Sequence, residues 1–95
     1  MDSRHPDVVR RRAVVRGRVQ GVGYRWSALS EARELGLVGF VTNRADGAVE
    51  AEAEGTTSAV DEFIDWLWRG PAGARVTAVD VEELPPTGGA GFRIT

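Results

Sequence analysis

The segment Gly17-Arg18-Val19-Gln20-Gly21-Val22-Gly23-Tyr24-Arg25 joins an alternating apolar run to a helically spaced one through a glycine-rich turn that ends on an arginine. Such a turn presents the first backbone N–H groups of a helix, which have no intrahelical acceptor, and the positive end of the helix dipole; together these favour an anion. Glycines let the backbone curl close around it. The segment is not a Walker loop, having no Gly-Lys-Ser/Thr end, and not a dinucleotide fingerprint, since Trp26 stands where the third glycine belongs. Two readings stay open: an oxyanion cradle, or a tight strand-to-helix turn without a ligand.

Arg25 bears on that choice. A cation in the first turn faces the positive end of the dipole and costs a few tenths of a kcal/mol or more, roughly. An oxyanion in the turn reverses the penalty, and a planar guanidinium can grip two phosphate or carboxylate oxygens at once. The alternative is that Arg25 leans outward to Glu31 or Asp46. Asn43 is likewise two-sided. It is a common turn residue, but its amide, placed beside an anion cradle, can hold a water in line for attack on phosphorus without gaining or losing a proton.

The composition bounds the rest. A chain of 95 residues, 42% apolar and 27% charged, suffices for one domain with its own core. With no cysteine it can hold no disulfide, thiolate zinc site, iron–sulfur cluster or cysteine nucleophile. No apolar stretch approaches the roughly 18 residues of a membrane span, and the early charges argue against a secretory signal, so a cytoplasmic protein without membrane contact is expected. The net charge of −2 disfavours wholesale nucleic-acid binding. Residues 1–12 hold four arginines and two aspartates, whereas residues 13–95 hold eight arginines and twelve acids. Residues 1–12 are therefore expected to be a disordered, basic tail.

Positioning the turn requires a strand before it and a helix after it. Ala13 to Val19 alternates with the period of a half-buried strand, and Tyr24, Ala28, Leu29, Ala32 and Leu35 recur at helical spacing up to Gly36. Val38 to Asn43 is a short second strand. Arg44-Ala45-Asp46-Gly47 closes a hairpin onto a third strand, whose Val49, Ala51 and Ala53 face inward while Glu50, Glu52 and Glu54 form a solvated face. Val60, Phe63, Ile64, Leu67 and Trp68 mark the core stripe of a second helix, capped by Thr57 or Ser58 and stopped by Gly70-Pro71. Arg75 to Glu82 is a fourth strand with Val79 and Val81 inward; Val76 has the wrong parity, which implies a bulge or a misplaced boundary. Phe92 and Ile94 suit a short fifth strand. The order is that of a ferredoxin-like α+β sandwich: four antiparallel strands plus the short fifth, with both helices on one face. The third strand then runs between the first two, so that Val19 and Asn43 share one sheet edge about 10 Å apart.

The nine-residue turn resembles the acylphosphatase signature. Leu35-Gly36-Leu37-Val38-Gly39-Phe40-Val41-Thr42-Asn43 with Asp46-Gly47-Ala48-Val49-Glu50 is similar to a second motif of that family, and Gly70-Pro71 with Ala74 and Val76 to a third; the likeness spans residues 13–95. It implies hydrolysis of a small-molecule acyl phosphate to carboxylate and phosphate, without cofactor or metal. It further implies that Arg25 binds the phosphate, that Asn43 positions the attacking water, and that the backbone amides of Gln20, Gly21, Val22, Gly23, Tyr24 and Arg25 form the cradle. Phe40 stands where many members have Trp, and Thr42 where a basic or larger polar residue is frequent, which bears on substrate preference.

The remaining residues fit that chemistry. An acyl phosphate is a mixed anhydride whose carboxylate leaves with little acid assistance, so positioning and charge stabilisation suffice. His5, the one histidine, falls in the expected tail, and Ser27 and Ser30 have no evident base. The glutamate row would repel RNA from the sheet. A monomeric stand-alone enzyme is expected. The rival readings are a non-catalytic phosphate-binding regulatory module and an acylphosphatase-like part of a carbamoyl-transferring assembly.

Overall fold

The computed structural model of the chain describes residues 7–95, whose elements run β1 (Val8–Arg18), α1 (Tyr24–Glu34), β2 (Val38–Asn43), β3 (Val49–Thr56), α2 (Thr57–Arg69), β4 (Arg75–Leu84) and β5 (Phe92–Ile94). The sheet order is β4-β1-β3-β2-β5. Four strands pair antiparallel as expected, and β5 pairs parallel to β2, so the sheet is mixed. Both helices cover one face. Tyr24, Ala28, Leu29 and Ala32 of α1 and Val60, Phe63 and Leu67 of α2 close over Ala13, Val15, Val41, Val49, Ala51 and Ala53 of the sheet.

The first strand starts at Val8, five residues before the expected position, and Arg10, Arg11 and Arg12 belong to it rather than to a tail. Asp7, ahead of the strand, accepts the Thr57 N–H at 3.3 Å, and residues 1–6, including His5, lie outside the described residues. Arg10 and Arg12 alternate with the inward residues of β1 and lie over Glu52 and Glu54 of β3 on the helix-free face. Arg10 donates to Glu52 at 2.8 Å and to Glu54 at 3.1 Å. Arg11, on the opposite face, reaches Asp61 of α2 and Glu83 of β4. Strand formation is stabilised here by opposite charges across the sheet, a property no window of neighbouring residues displays. For the same reason the glutamate row is not a bare solvated face. Glu54 is buried and also accepts the Thr87 and Gly88 N–H groups at 2.9 and 3.0 Å, which lower its pKa with Arg10 and pin the loop leading to β5.

Other boundaries follow local packing. Val76 recovers inward parity through a bulge: Arg16 pairs with Ala78 and Gly17 with Val76, leaving Thr77 over. Val81 shares the parity of Val79 but sits on the outermost strand, where it is 46% exposed rather than inward. Trp68 is also outside the core, half-exposed, because the α2 stripe centres on Phe63 and Leu67; Trp66 packs there instead, stacked on Phe63. The cap of α2 is Thr56, one residue before the expected pair, whose hydroxyl accepts the Ala59 N–H at 3.2 Å. At the far edge, Arg33 of α1 donates to the Phe92 carbonyl of β5 at 3.2 Å.

One close approach sets the position of β2. Gly39 has φ 147°, and a Cβ there would lie 1.9 Å from the Glu52 carbonyl oxygen of β3. Only glycine permits that backbone contact.

Candidate active site

Val49 of β3 pairs with Val15 of β1 on one side and with Asn43 of β2 on the other. The β1–α1 turn and the end of β2 therefore meet at one sheet edge, two strand spacings apart, as the topology required. Asn43 shares parity with the buried Val41 and so belongs to the helix-covered side of the sheet, one step beyond the core and exposed.

The turn itself is built for donors. Gly23 caps α1 in the left-handed region (φ 77°, ψ 19°) with no side-chain cap, and no acid occupies the first helical turn. Among the described residues, no carbonyl accepts from the backbone N–H groups of Gln20 to Arg25. A strand-to-helix turn without a ligand would ordinarily place Ser, Thr or Asp at the cap to satisfy some of these donors. Here glycine stands in that place, and the donors are left without a side-chain cap beside the positive end of the helix dipole.

Tyr24 anchors the C-terminal side of the turn. Its ring is buried against Trp66, and its hydroxyl donates to the Leu67 carbonyl of α2 at 2.6 Å. Leu67 belongs to the last turn of α2, where carbonyls lack helical partners, and four residues on stands Pro71, which has no N–H to offer. Gly70 makes room for the ring, since a Cβ there would lie 2.9 Å from Tyr24 Cε2. Burial pushes the phenol pKa up, so the hydroxyl stays a donor.

Arg25 follows on the helix and turns toward neither Glu31 nor Asp46. Its Nη1 donates to the Thr95 main-chain oxygen at 3.3 Å, and the Thr42 hydroxyl donates to the same oxygen at 3.2 Å. The parallel pairing of β5 with β2 puts Thr95 there, its N–H donating to the Val41 carbonyl at 3.0 Å. Arg25 is thus held beside Thr42, one residue from Asn43, and forms no ion pair among the described residues. Asp46 is engaged by Arg44 and Arg16; the Ala48 N–H and then Arg44 hold its carboxyl below the usual range.

On the other side of Asn43, the Gln20 side chain donates from Nε2 to the carbonyls of Arg44 and Ala48 at 2.8 and 2.9 Å. The cradle turn is thereby bonded to the hairpin that begins at Asn43. This contact and those of Tyr24, Thr42 and Thr95 went unread in the sequence. The topology offered a signal for Gln20, since it placed the turn beside the hairpin and left a long amide between them.

The groups brought together here are the turn's N–H donors, the Arg25 guanidinium and the Asn43 carboxamide, with the Gln20 amide already bonded to the hairpin; among the described residues none of these is a nucleophile or a proton carrier. Ser27 is half-buried and Ser30 exposed, neither bonded to a base among the described residues. A shallow groove of about 490 Å³ runs along α1 past Trp26, Leu29, Ser30, Arg33 and Glu34 and includes none of the turn residues. Among the described residues no cluster of side chains suits a metal ion, and no helix is long and apolar enough to cross a membrane.

Comparison with known proteins adds the family. The acylphosphatase family model matches residues 11–94. The chain belongs to the acylphosphatase family. An acylphosphatase from Acaryochloris marina is 51% identical over 78 residues, covering 82% of this chain and 84% of the relative. A solved acylphosphatase from Coxiella burnetii superposes with a TM-score of 0.90 at 36% identity, covering 94% of each chain, and one from Bacillus subtilis with 0.89 at 39%, covering 92% of this chain and 98% of the other. Membership of the acylphosphatase family confirms the ferredoxin-like fold and the hydrolase class, and it starts inside β1, consistent with the early strand.

Proposed function

We propose that the hydrolysis of acyl phosphates by this chain is carried by the Gln20–Arg25 turn, Arg25 and Asn43. The observation that supports this most is the convergence of unpartnered turn amides, a guanidinium and a carboxamide on one sheet edge, from segments eighteen or more residues apart in sequence.

The phosphoryl group of the substrate sits in the turn, its oxygens accepting from the backbone N–H groups of Gln20, Gly21, Val22, Gly23, Tyr24 and Arg25. Arg25 grips two of those oxygens and takes up the charge that accumulates on them as the bridging bond lengthens. Asn43 holds a water through its amide, opposite the acyl oxygen. The water oxygen bonds to phosphorus, the phosphorus–acyl oxygen bond breaks, and the electron pair leaves with the carboxylate. The proton of the water passes to a phosphate oxygen, so the products are a carboxylate and inorganic phosphate. A carboxylate is a good leaving group, so no general acid is needed. The reading extends to a monomer acting in the cytoplasm on a small-molecule substrate, without cofactor, metal or nucleic acid.

The test is hydrolysis of benzoyl phosphate in excess EDTA by the wild type and by Arg25→Ala and Asn43→Ala, each checked for folding. Removing a preorganised charge-stabilising donor costs roughly 10²- to 10³-fold in kcat, and both variants should lose at least that. Arg25→Ala should also bind inorganic phosphate more weakly, whereas Asn43→Ala should bind it as the wild type does. A folded wild type that binds phosphate without turnover would favour the regulatory-module reading and end this one.

A further inference from the structure

We infer that the Gln20 side chain is a positioning residue, which fixes the distance between the phosphate cradle and the water-holding amide of Asn43. The inference rests on the roles proposed for the turn and Asn43, and concerns what keeps them in register.

Both hydrogens of the Gln20 carboxamide are used, one on the Arg44 carbonyl and one on the Ala48 carbonyl. Two carbonyl acceptors admit only the NH₂ end of the amide, so its orientation is determined. The same carbonyls are the neck of the hairpin: Arg44 N–H donates to Ala48 O at 2.8 Å, and Gly47 N–H to Arg44 O at 3.2 Å. Gln20 therefore holds both legs of the hairpin at once. Asn43 is the residue immediately before that neck, at the exposed end of β2, and its own side chain takes part in no hydrogen bond among the described residues. Nothing in the hairpin alone ties it to the turn. The neighbouring ion pairs, Arg44 with Asp46 and Glu50 and Arg16 with Asp46, lie on exposed or half-buried side chains, where such pairs hold geometry weakly.

The consequence is kinetic. In-line attack requires the water about 3–3.5 Å from phosphorus, and a displacement of about 1 Å costs on the order of 10²-fold in rate. Phosphate binding should be spared, because the cradle uses the Gln20 main-chain N–H, which methionine and glutamate both keep.

The experiment compares wild type with Gln20→Met, which keeps length and loses both donors, and Gln20→Glu, which sets a carboxylate against two carbonyls. Three readouts are taken: kcat on benzoyl phosphate, inhibition by inorganic phosphate, and hydrogen exchange of the Arg44 N–H. The expected result is a fall in kcat of about 10²-fold with phosphate inhibition unchanged, and faster exchange at Arg44 without faster exchange in the core. In addition, Gln20→Met placed on Asn43→Ala should slow that variant little further, because the first acts through the second. A lowered melting temperature with kcat retained, or rate losses that multiply in the double variant, would overturn the positioning role. If wild type shows no turnover, the catalytic reading fails by itself. The Arg44 exchange then still decides whether Gln20 holds the hairpin, and unchanged exchange in both variants would dismiss the clamp.

Discussion

Replacing Tyr24 by Phe removes one oxygen atom from a buried site and leaves the ring in place, so its cost can be worked from a single contact. The hydroxyl donates at 2.6 Å to the Leu67 carbonyl, and no other donor serves that carbonyl in the described residues because Pro71 lacks an N–H. The loss combines the hydrogen bond itself, about 0.5–1.5 kcal/mol net, with the desolvation of an orphaned buried carbonyl, about 1–3 kcal/mol. These two figures overlap, and about 2 kcal/mol is the expected total. For a domain of this size each kcal/mol moves the melting temperature by about 4–8 °C, so the variant should melt roughly 8–16 °C below wild type. Calorimetry at neutral pH measures it directly. Turnover at 25 °C should be retained, since the Tyr24 N–H and the packing of the ring against Trp66 survive. A melting temperature within about 2 °C of wild type would mean that the carbonyl is served otherwise and that the anchor between the turn and α2 contributes nothing.

Two further outcomes follow from the same structure. Gly39→Ala forces a side chain into left-handed backbone at about 1–3 kcal/mol and into the Glu52 carbonyl besides, so β2 must part from β3; urea denaturation should show a loss above about 3 kcal/mol, and a smaller one would contradict the contact. Glu54 has its pKa lowered, first by the Thr87 N–H and then by Arg10, so its stabilisation is present above the usual glutamate value of 4.5 and is lost as pH falls through the lower folded value. The melting temperature of wild type should accordingly drop more steeply below pH 4.5 than that of Glu54→Gln, and parallel acid profiles would refute the assignment.

What the residues alone disclosed divides by range of interaction. The turn, Arg25 and Asn43 stand out as candidates because each depends on a short segment, a strand end or a helix start, and the strand order that places them at one sheet edge follows from the alternation of elements. The start of β1 is not legible in this way. Arg10 and Arg12 look like tail residues until Glu52 and Glu54, 40 to 44 residues away, are placed opposite them. Long range also hides the meeting of Arg25, Thr42 and Thr95, which needs β5 laid parallel beside β2, while the Gln20 contacts span the shorter reach from the turn to the hairpin. Val81 and Trp68 depart from expectation for a different reason. Their periodicity is correct for an inward face, but periodicity does not report where the covering layer stops.

The two outer strands have a bearing on how copies of the chain behave toward one another at high concentration. An open sheet offers two unpaired rows of backbone groups on which a further strand can grow, the first step of ordered aggregation. On one side β5 is three residues long and Arg33 already occupies the Phe92 carbonyl. On the other, β4 presents Asp80, Glu82 and Glu83 along its exposed second half, so two copies meeting edge to edge would bring like charges together. The arginines that pair with those acids, Arg11, Arg12 and Arg16, stand on β1, on the inner side of β4, so the open side is left to the acids and solutions of the chain should stay dispersed where an uncharged edge would seed fibres.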